Sequence, residues 1–483
     1  MSNAPALAGL DDVRALVAAE DSEGRLVPCG LTDLVIGPGV LARVVDAVAG
    51  LVPIGCKPPA RVALLVDATL IYREGVDVKA IVEHDLASRF DVRRVVLSDG
   101  HSELHVTESV VQAAIEATTD SDVVVALGGG TISDIAKLAV AARPGLPLVT
   151  VMTAASVDGY TDNVSVMLKG GVKRTVPSVW PNVVVADAET VAGAPARMNR
   201  AGYGEMTSMY VAPADWRLAA IVGVDPSFHP GPVALLDAIG GRLDACAPGV
   251  GTGDPKAVQE LTWALAVRGI ATGVSGTTAC LSGAEHLVSH MLDLRAAELH
   301  LPTGLHGEQV GVGSVVSACA WELLRDRLAA APDTRVRLQM LDAREAEVRV
   351  RLAFAPLDPS GRIAEECWND YRRKLERMTH CLPGITAALE NWEFHDGDLA
   401  ALVRPSHIIV TGLRSAGAPA RLDELGADVD VDAARWAVES CALMRDRFTV
   451  VDLLTLLGWW EPADVDEIFG RVDRALASAE VAR

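Results

Sequence analysis

The chain has 483 residues, of which 50% are hydrophobic and 22% are charged, and its formal net charge is −21. A chain of this length exceeds the size at which one hydrophobic core keeps growing, so we expect at least two domains. The acidic balance, without any basic block, argues against nucleic acid and anionic membrane surfaces as partners and favours a small-molecule substrate.

The eight cysteines are scattered, with no C-x-x-C motif and no close pair. This spacing predicts neither a disulfide framework nor a thiolate metal site. The N-terminus lacks the basic-then-apolar order of a signal peptide, and no apolar run is long enough to span a bilayer. We therefore expect a soluble, cytoplasmic protein without membrane insertion.

Residues from about 60 to 190 alternate short apolar runs with segments of helical periodicity. Runs that are apolar on both faces are typical of buried parallel strands. The predicted strands are Arg61–Val66, Arg94–Leu97, Val123–Leu127, Leu146–Val151 and Val183–Ala186. Helical periodicity predicts helices over Glu108–Ala117 and Ile132–Ala142. The pattern indicates a doubly wound, Rossmann-like α/β domain, to which we assign residues 1–195.

Strand-like runs largely stop after residue 195, and long helix-period segments follow. Three such segments are Pro255–Val274, Val310–Arg327 and Ala433–Leu457. We therefore predict that residues 196–483 form a helical domain. The charged, proline-bounded stretch Ala330–Pro359 is interpreted as a peripheral excursion.

A glycine-rich loop follows one predicted strand and opens a helix; its residues are Gly128, Gly129, Gly130 and Thr131. Backbone amides in such a loop can approach a phosphate where the helix dipole favours negative charge. A tight strand-to-helix turn also needs glycine for conformational reasons alone, so the loop is not decisive. Asp134 and Lys137 lie in the first turns of the same helix, where the simpler interpretation is a solvated helix face.

Polar side chains also follow the next predicted strand: Thr153, Ser156 and Asp158 lie within six residues. The carboxyl edge of an open α/β sheet is where ligands bind. Two hydroxyls and a carboxylate suit hydrogen bonds to a cofactor and a polyol, although an ordinary loop with a helix cap would look the same.

Histidines cluster in the predicted helical domain. Four of the 11 histidines, His286, His290, His300 and His306, fall within one short stretch. His286 and His290, four residues apart, share one helix face, whereas His300 is interpreted as a loop residue. Together with Glu205, which lies in the short glycine-containing segment GYGEM, His286 and His306 would form an open three-ligand site of the kind found in catalytic zinc centres.

Six motifs, in this order, resemble the glycerol-1-phosphate dehydrogenases, and the bacterial branch most closely. They are GGGTISDIAK at 128–137, TAASVDGYT at 153–161, GYGEMTSMYVAPADWRLA at 202–219, SGAEHLVSH at 282–290, LHGEQVGVG at 305–313 and MRDRFTVVDLL at 444–454. That family belongs to the superfamily of iron-containing alcohol dehydrogenases and dehydroquinate synthases. The resemblance implies a Rossmann-like α/β domain followed by an all-α, dehydroquinate synthase-like domain.

The resemblance also implies roles for individual residues. The residues implied to bind NAD or NADP are Gly128, Gly129, Gly130, Thr131, Asp134, Thr153, Ser156 and Asp162. The residues implied to act in catalysis are Asp158, His290 and Lys137, and those implied to hold a divalent metal are Glu205, His286 and His306. Zinc is the expected ion, with iron, nickel and manganese as alternatives. We expect reduction of dihydroxyacetone phosphate, or of a related polyol phosphate or ketose, and a homo-oligomer of two or more copies.

Two other functions stay open. Glu205 is the ligand that dehydroquinate synthases present, whereas the dehydrogenases normally present aspartate, so a sugar phosphate cyclase that uses NAD catalytically is one alternative. A paralogue that binds metal or nucleotide without catalysis is the other. The glycine loop and the complete set of histidines count against the second alternative.

Overall fold

The computed structural model describes residues 7–101, 103–169, 172–330, 338–340 and 342–481. These residues form two compact units. The first unit contains the described residues up to Tyr203 together with Pro230–Gly276, and the second contains Gly204–His229 and the described residues from Thr277 onward.

Most strands of the first unit belong to one parallel sheet of six strands. The strands are β1 (Asp33–Gly37), β2 (Arg61–Val66), β3 (Tyr72–Arg73), β4 (Val76–Asp77), β5 (Asp91–Val96), β6 (Val123–Gly128), β7 (Leu148–Met152), β8 (Val164–Lys169), β9 (Val172–Pro177) and β10 (Val183–Asp187). The order in the large sheet is β1-β10-β7-β6-β2-β5. Two antiparallel hairpins, β3-β4 and β8-β9, complete the described strands.

Helices make up the rest of the regular structure. The first ten are α1 (Leu10–Glu20), α2 (Arg43–Leu51), α3 (Val78–Ala87), α4 (Glu108–Ala117), α5 (Gly130–Ala141), α6 (Ala188–Ala192), α7 (Ala196–Met206), α8 (Ala212–Ile221), α9 (Pro230–Thr252) and α10 (Pro255–Ser275). The others are α11 (Ala284–Leu299), α12 (His306–Ala330), α13 (Ala343–Phe354), α14 (Arg362–His380), α15 (Leu382–Glu390), α16 (Trp392–Ala401), α17 (Ser406–Ser415), α18 (Val431–Ser440), α19 (Val450–Leu456) and α20 (Pro462–Val481).

The sheet of the first unit is covered on both faces. Successive residues of a strand point to opposite faces, so Leu64 packs with helices α2 and α3, and its neighbour Leu65 packs with α4 and α5. Strands β6, β7 and β10 are buried along their whole length. This doubly covered parallel sheet brings the ends of β6 and β7 to the same edge of the sheet.

The predicted fold class is confirmed: a parallel α/β part comes first and a mostly helical part follows. Strand β2 and helix α4 have the predicted bounds. The predicted helix Ala433–Leu457 is wrong as one element, because the chain leaves helical geometry before Thr449 and begins α19 there with a capping box. The predicted excursion Ala330–Pro359 contains α13, and residues 331–337 and 341 of it lie outside the described part.

The compact units divide the chain differently from the predicted ranges 1–195 and 196–483. They separate after Tyr203, and Pro230–Gly276 returns to the first unit. The physical reason is packing, since α9 and α10 pack on each other and α10 also contacts α6 and β1. Among the described residues, no helix combines the length and apolar character needed to cross a bilayer.

Candidate metal centre and cofactor loop

Glu205, His286 and His306 lie together in the second unit. Glu205 is near the end of α7, His286 is in the first turn of α11, and His306 begins α12. The Nε2 atom of His286 is 3.5 Å from Oε1 of Glu205, and Nε2 of His306 is 3.8 Å from Oε2. Tetrahedral bonds of about 2.1 Å to one ion hold ligand atoms about 3.4 Å apart, so these three side chains fit a divalent metal.

Glycine residues permit this convergence. A Cβ atom on Gly204 would lie 2.2 Å from the carbonyl oxygen of Gly307, so a larger residue would push α7 away from α12. A Cβ atom on Gly313 would lie 2.4 Å from the carbonyl oxygen of Glu285, which sets the approach of α12 to α11. Gly204 and Gly313 therefore allow the close helix contacts that bring the three side chains together.

Each histidine ligand is held through its other ring nitrogen. Nδ1 of His286 is 2.8 Å from Oε1 of Glu285, which also accepts a bond from the amide of Gly283. Nδ1 of His306 is 3.0 Å from the hydroxyl of Ser289. Because Ser289 donates to Oε1 of Gln309, it accepts from His306. Both rings thus carry hydrogen on Nδ1 and leave the Nε2 lone pair for a metal, as metal-ligating histidines usually do.

The charges around His286 favour a cation at this point. Burial alone would lower the pKa of His286, but Glu205 and Glu285 outweigh burial and raise it. Surroundings that favour the protonated ring also favour a metal ion in place of the proton, because both carry positive charge. Of the described residues searched for such clusters, these three form the one group identified.

His290 lies beside this cluster without belonging to it. Its ring centroid is 6.2 Å from that of His286 and 5.9 Å from that of His306. The expected sharing of one helix face is confirmed, and the catalytic role of His290 stays a prediction. His300, interpreted from the sequence as a loop residue, caps the end of α11 in a left-handed conformation.

Asp215 and the C-terminal motif anchor the start of α11, a connection that could not be predicted from the sequence. Oδ2 of Asp215 accepts a hydrogen bond from the amide of Ala284, and Oδ1 accepts one from Val450 in the C-terminal motif. Arg447 of the same motif donates to the carbonyl oxygen of Ser282. Burial, followed by the nearby charge of Glu285, raises the pKa of Asp215 to about 8. The C-terminal motif therefore fixes the helix that carries His286.

The glycine loop of the first unit joins β6 to α5 as predicted. A Cβ atom on Gly128 would be 2.8 Å from Cγ1 of Ile132, and one on Gly130 would be 2.8 Å from Cγ2 of Val157. Packing therefore requires these two glycines. A Cβ atom on Gly129 would meet nothing within 4 Å, and Gly129 has an ordinary φ of −77°. The open space beside Gly129, at the N-terminus of α5, suits a phosphate.

Thr131, Thr153 and Ser156 lie near the same edge of the sheet. Thr131 follows Gly130 in the first turn of α5, and Thr153 comes directly after β7. Thr153 and Ser156 are 5% and 8% exposed, so a cofactor could reach them only in a close-fitting site. Their contact with a nicotinamide dinucleotide stays a prediction.

Lys137 lies in an unexpected environment for a catalytic residue, since its side chain is fully buried. Its Nζ atom is 2.6 Å from Oδ1 of Asp162 and 3.3 Å from Oδ1 of Asp134, and it also donates to the carbonyl oxygens of Gly159 and Val164. Burial raises the pKa of Asp162 to about 7. Burial would lower the pKa of Lys137, but the two carboxylates outweigh it and raise that pKa. The predicted cofactor residues Asp134 and Asp162 thus face a lysine.

Asp158 forms an ion pair that the sequence analysis missed. Its Oδ2 atom contacts the guanidinium of Arg268 in α10. A signal for this partner was present, because Arg268 is a lone charge in an otherwise apolar helix segment. A charged residue in such a segment is buried only with a partner.

The family model and the curated relatives that match this chain agree on its family. The model of the iron-containing alcohol dehydrogenase family matches residues 35–195. Glycerol-1-phosphate dehydrogenase [NAD(P)+] from Pyrococcus furiosus is 34% identical over 268 residues, which cover 53% of this chain and 73% of that protein. The protein of the same name from Bacillus velezensis is 30% identical over 347 residues, covering 72% and 73%.

Solved structures agree on the fold. Glycerol dehydrogenase from Schizosaccharomyces pombe has a TM-score of 0.58 at 14% identity, covering 94% of this chain and 91% of that one. An iron-containing alcohol dehydrogenase from Corynebacterium glutamicum has a TM-score of 0.52 at 18% identity, covering 90% and 97%. The N-terminal α/β part and the helical part that follows thus match a known architecture.

The metal assignment predicts the effect of removing a ligand. His286→Ala and His306→Ala should each abolish stoichiometric metal binding, measured by elemental analysis after dialysis, while circular dichroism stays like that of the wild type. His300→Asn is the matched control and should retain metal, since asparagine tolerates the left-handed conformation at that position. Full metal content in both alanine variants would end the assignment.

Loss of the carboxylate behind His286 should weaken metal binding without removing a ligand. We expect Glu285→Gln to lower zinc affinity about 10- to 100-fold in a chelator competition, as changes to such partners usually do. Glu298→Gln changes the same residue type on the same helix, at a surface ion pair with Arg362, and should leave the affinity unchanged. Equal affinities of the two variants would contradict the role of Glu285.

Asp215 should make stability depend on pH. Folded Asp215 keeps its proton up to a pKa of about 8, whereas the ordinary value is 3.8. Between these values the folded protein binds more protons than the unfolded chain, so this group lowers stability as pH rises. Asp215→Asn should flatten the fall in Tm across that range, measured on metal-loaded protein. The exposed control Asp120→Asn should keep the wild-type slope, and a wild-type slope in Asp215→Asn would refute the expectation.

Proposed function

We infer that this chain, which belongs to the glycerol-1-phosphate dehydrogenase family, is a metal-dependent dehydrogenase that reduces dihydroxyacetone phosphate with NADH or NADPH. The observation that carries this function is the cluster of Glu205 and His286, which are buried, with the partly exposed His306; both imidazoles are held through Nδ1. An anchored three-ligand set with Nε2 atoms available is typical of catalytic metal sites.

The proposed cofactor site is the glycine loop of the first unit. Backbone amides at Gly129 and Gly130 would bind the pyrophosphate, because the first amides of a helix have no acceptor within the helix. The hydroxyls of Thr131, Thr153 and Ser156 would add hydrogen bonds to the dinucleotide. We also propose that Asp134 and Asp162 contact the cofactor, from positions that their ion pairs with Lys137 fix.

Reduction of a ketone needs a hydride, a proton and stabilisation of the negative charge on oxygen. A bound divalent ion would supply the last of these by polarising the carbonyl group. A bound NADH or NADPH would supply the hydride, and we assign the proton to His290, which lies beside the rings of His286 and His306. Asp158 would accept a hydrogen bond from a substrate hydroxyl. Zinc is the ion we favour, because two imidazoles and a carboxylate suit it, and the same donors also accept iron, nickel or manganese.

A second function is favoured by one residue. Glu205 is the ligand expected of a dehydroquinate synthase-like sugar phosphate cyclase, in which the nicotinamide is reduced and reoxidised within one turnover. Net consumption of the cofactor separates the two functions. The dehydrogenase uses one NAD(P)H for each product, and the cyclase uses none.

The proposed activity predicts NAD(P)H oxidation when metal-loaded protein meets dihydroxyacetone phosphate. We expect turnover within the usual range of about 1 to 1,000 per second, with sn-glycerol 1-phosphate as product by chiral analysis. Unphosphorylated dihydroxyacetone, supplied in parallel, reports whether the phosphate is required. His306→Ala should be inactive under all metals. A wild-type protein that contains metal and binds NADH, but gives no turnover with dihydroxyacetone phosphate, would refute the proposal.

A further inference from the structure

The carboxylate of Asp158 is held from behind by a deeply buried arginine. The guanidinium of Arg268 contacts Oδ2 of Asp158, and the Arg268 side chain is only 3% exposed. The side chain of Asp158 is 16% exposed, so a small molecule can still reach it. Burying a guanidinium is costly unless a carboxylate compensates it, so this contact restricts where the Asp158 carboxylate can lie.

The backbone of the loop that carries Asp158 lies directly on α10. A Cβ atom on Gly269 would be 2.5 Å from the carbonyl oxygen of Asp158 and 2.2 Å from Oγ1 of Thr161. The hydroxyl of Thr161 donates to the carbonyl oxygen of Ala266. Close packing and this hydrogen bond therefore fix the loop backbone beside Arg268 without using its charge.

Helix α5 holds the same loop from another direction. Lys137 and Ser133 both donate to the carbonyl oxygen of Gly159, at 2.7 Å and 3.3 Å. The backbone next to Asp158 is therefore restrained by two helices. These contacts hold the backbone of the loop. The contact with Arg268 differs from them because it holds the Asp158 carboxylate itself.

We propose that Arg268 is a positioning residue that fixes the Asp158 carboxylate so that it accepts a hydrogen bond from a hydroxyl of the triose substrate. This inference rests on the proposed function, in which Asp158 contacts substrate. Arg268 would not touch the substrate. It acts by restricting Asp158, and misplacing a substrate-orienting group by about 1 Å can cost on the order of 100-fold in rate.

The test is a double-mutant cycle on the metal-loaded protein. Asp158→Asn, Arg268→Gln and the double variant are compared for kcat/KM with dihydroxyacetone phosphate and for calorimetric binding of that compound to the NAD+-loaded protein. We expect each single change to lower kcat/KM by about 10- to 100-fold, and the double variant to lose no more than Asp158→Asn alone, because both changes remove one interaction. NADH affinity, measured by fluorescence, should stay within about two-fold of wild type, since Arg268 is not among the residues proposed to bind the cofactor.

Two further variants guard against a simple loss of stability. Arg268→Lys keeps the charge and should recover part of the lost kcat/KM, even if Arg268→Gln folds poorly. Arg242→Gln removes an arginine ion pair to Glu260 of the same helix α10, away from the loop, and should retain wild-type kinetics.

The outcomes separate this inference from the proposed function. Fold losses that multiply in the double variant, or an Arg268→Gln protein that binds and turns over triose phosphate like wild type, would overturn the positioning role alone. A wild-type protein that neither binds nor reduces dihydroxyacetone phosphate would overturn the proposed function, and this inference with it.

Discussion

Buried charge must be compensated, and this constraint governs both regions to which we assign chemistry. In the first unit, Lys137 faces two aspartates and Arg268 faces Asp158. In the second unit, Glu205 is 2% exposed and faces the imidazoles of His286 and His306. Imidazoles compensate a carboxylate only when they carry a proton or share a cation with it. Lys137 and Arg268 thus each meet a carboxylate directly, whereas the imidazoles beside Glu205 favour a proton or a shared metal ion.

The position of the metal cluster depends on helix contacts that only glycine allows. Gly204 brings α7 against α12, and Gly313 brings α12 against α11. The three candidate ligands lie on three helices. A shift of one helix relative to the other two would therefore move its ligand atom out of bonding distance from the metal. The anchoring of α11 by Asp215 therefore has a function beyond stability, since it sets where His286 meets the other two ligands.

The secondary structure and the candidate metal cluster could be predicted from the sequence wherever the relevant pattern is local. Strand β2 and helix α4 follow from apolar periodicity, and the grouping of Glu205, His286 and His306 follows from motifs that each contain their own glycine. The partners of those residues could not be predicted. Asp215 and Val450 are 235 residues apart, and no periodicity links them. Helix α19 was missed for another reason, because its capping box lies inside a segment whose apolar pattern reads as one continuous helix.

The surroundings of Lys137 argue against the catalytic role that the resemblance implies for it. A lysine ammonium has three hydrogens, and Nζ of Lys137 already has four oxygen atoms as neighbours. A substrate or cofactor could therefore bond this group only by displacing a partner, and breaking a buried ion pair costs about 3–5 kcal/mol. The geometry favours a lysine that shapes the loop carrying Asp158.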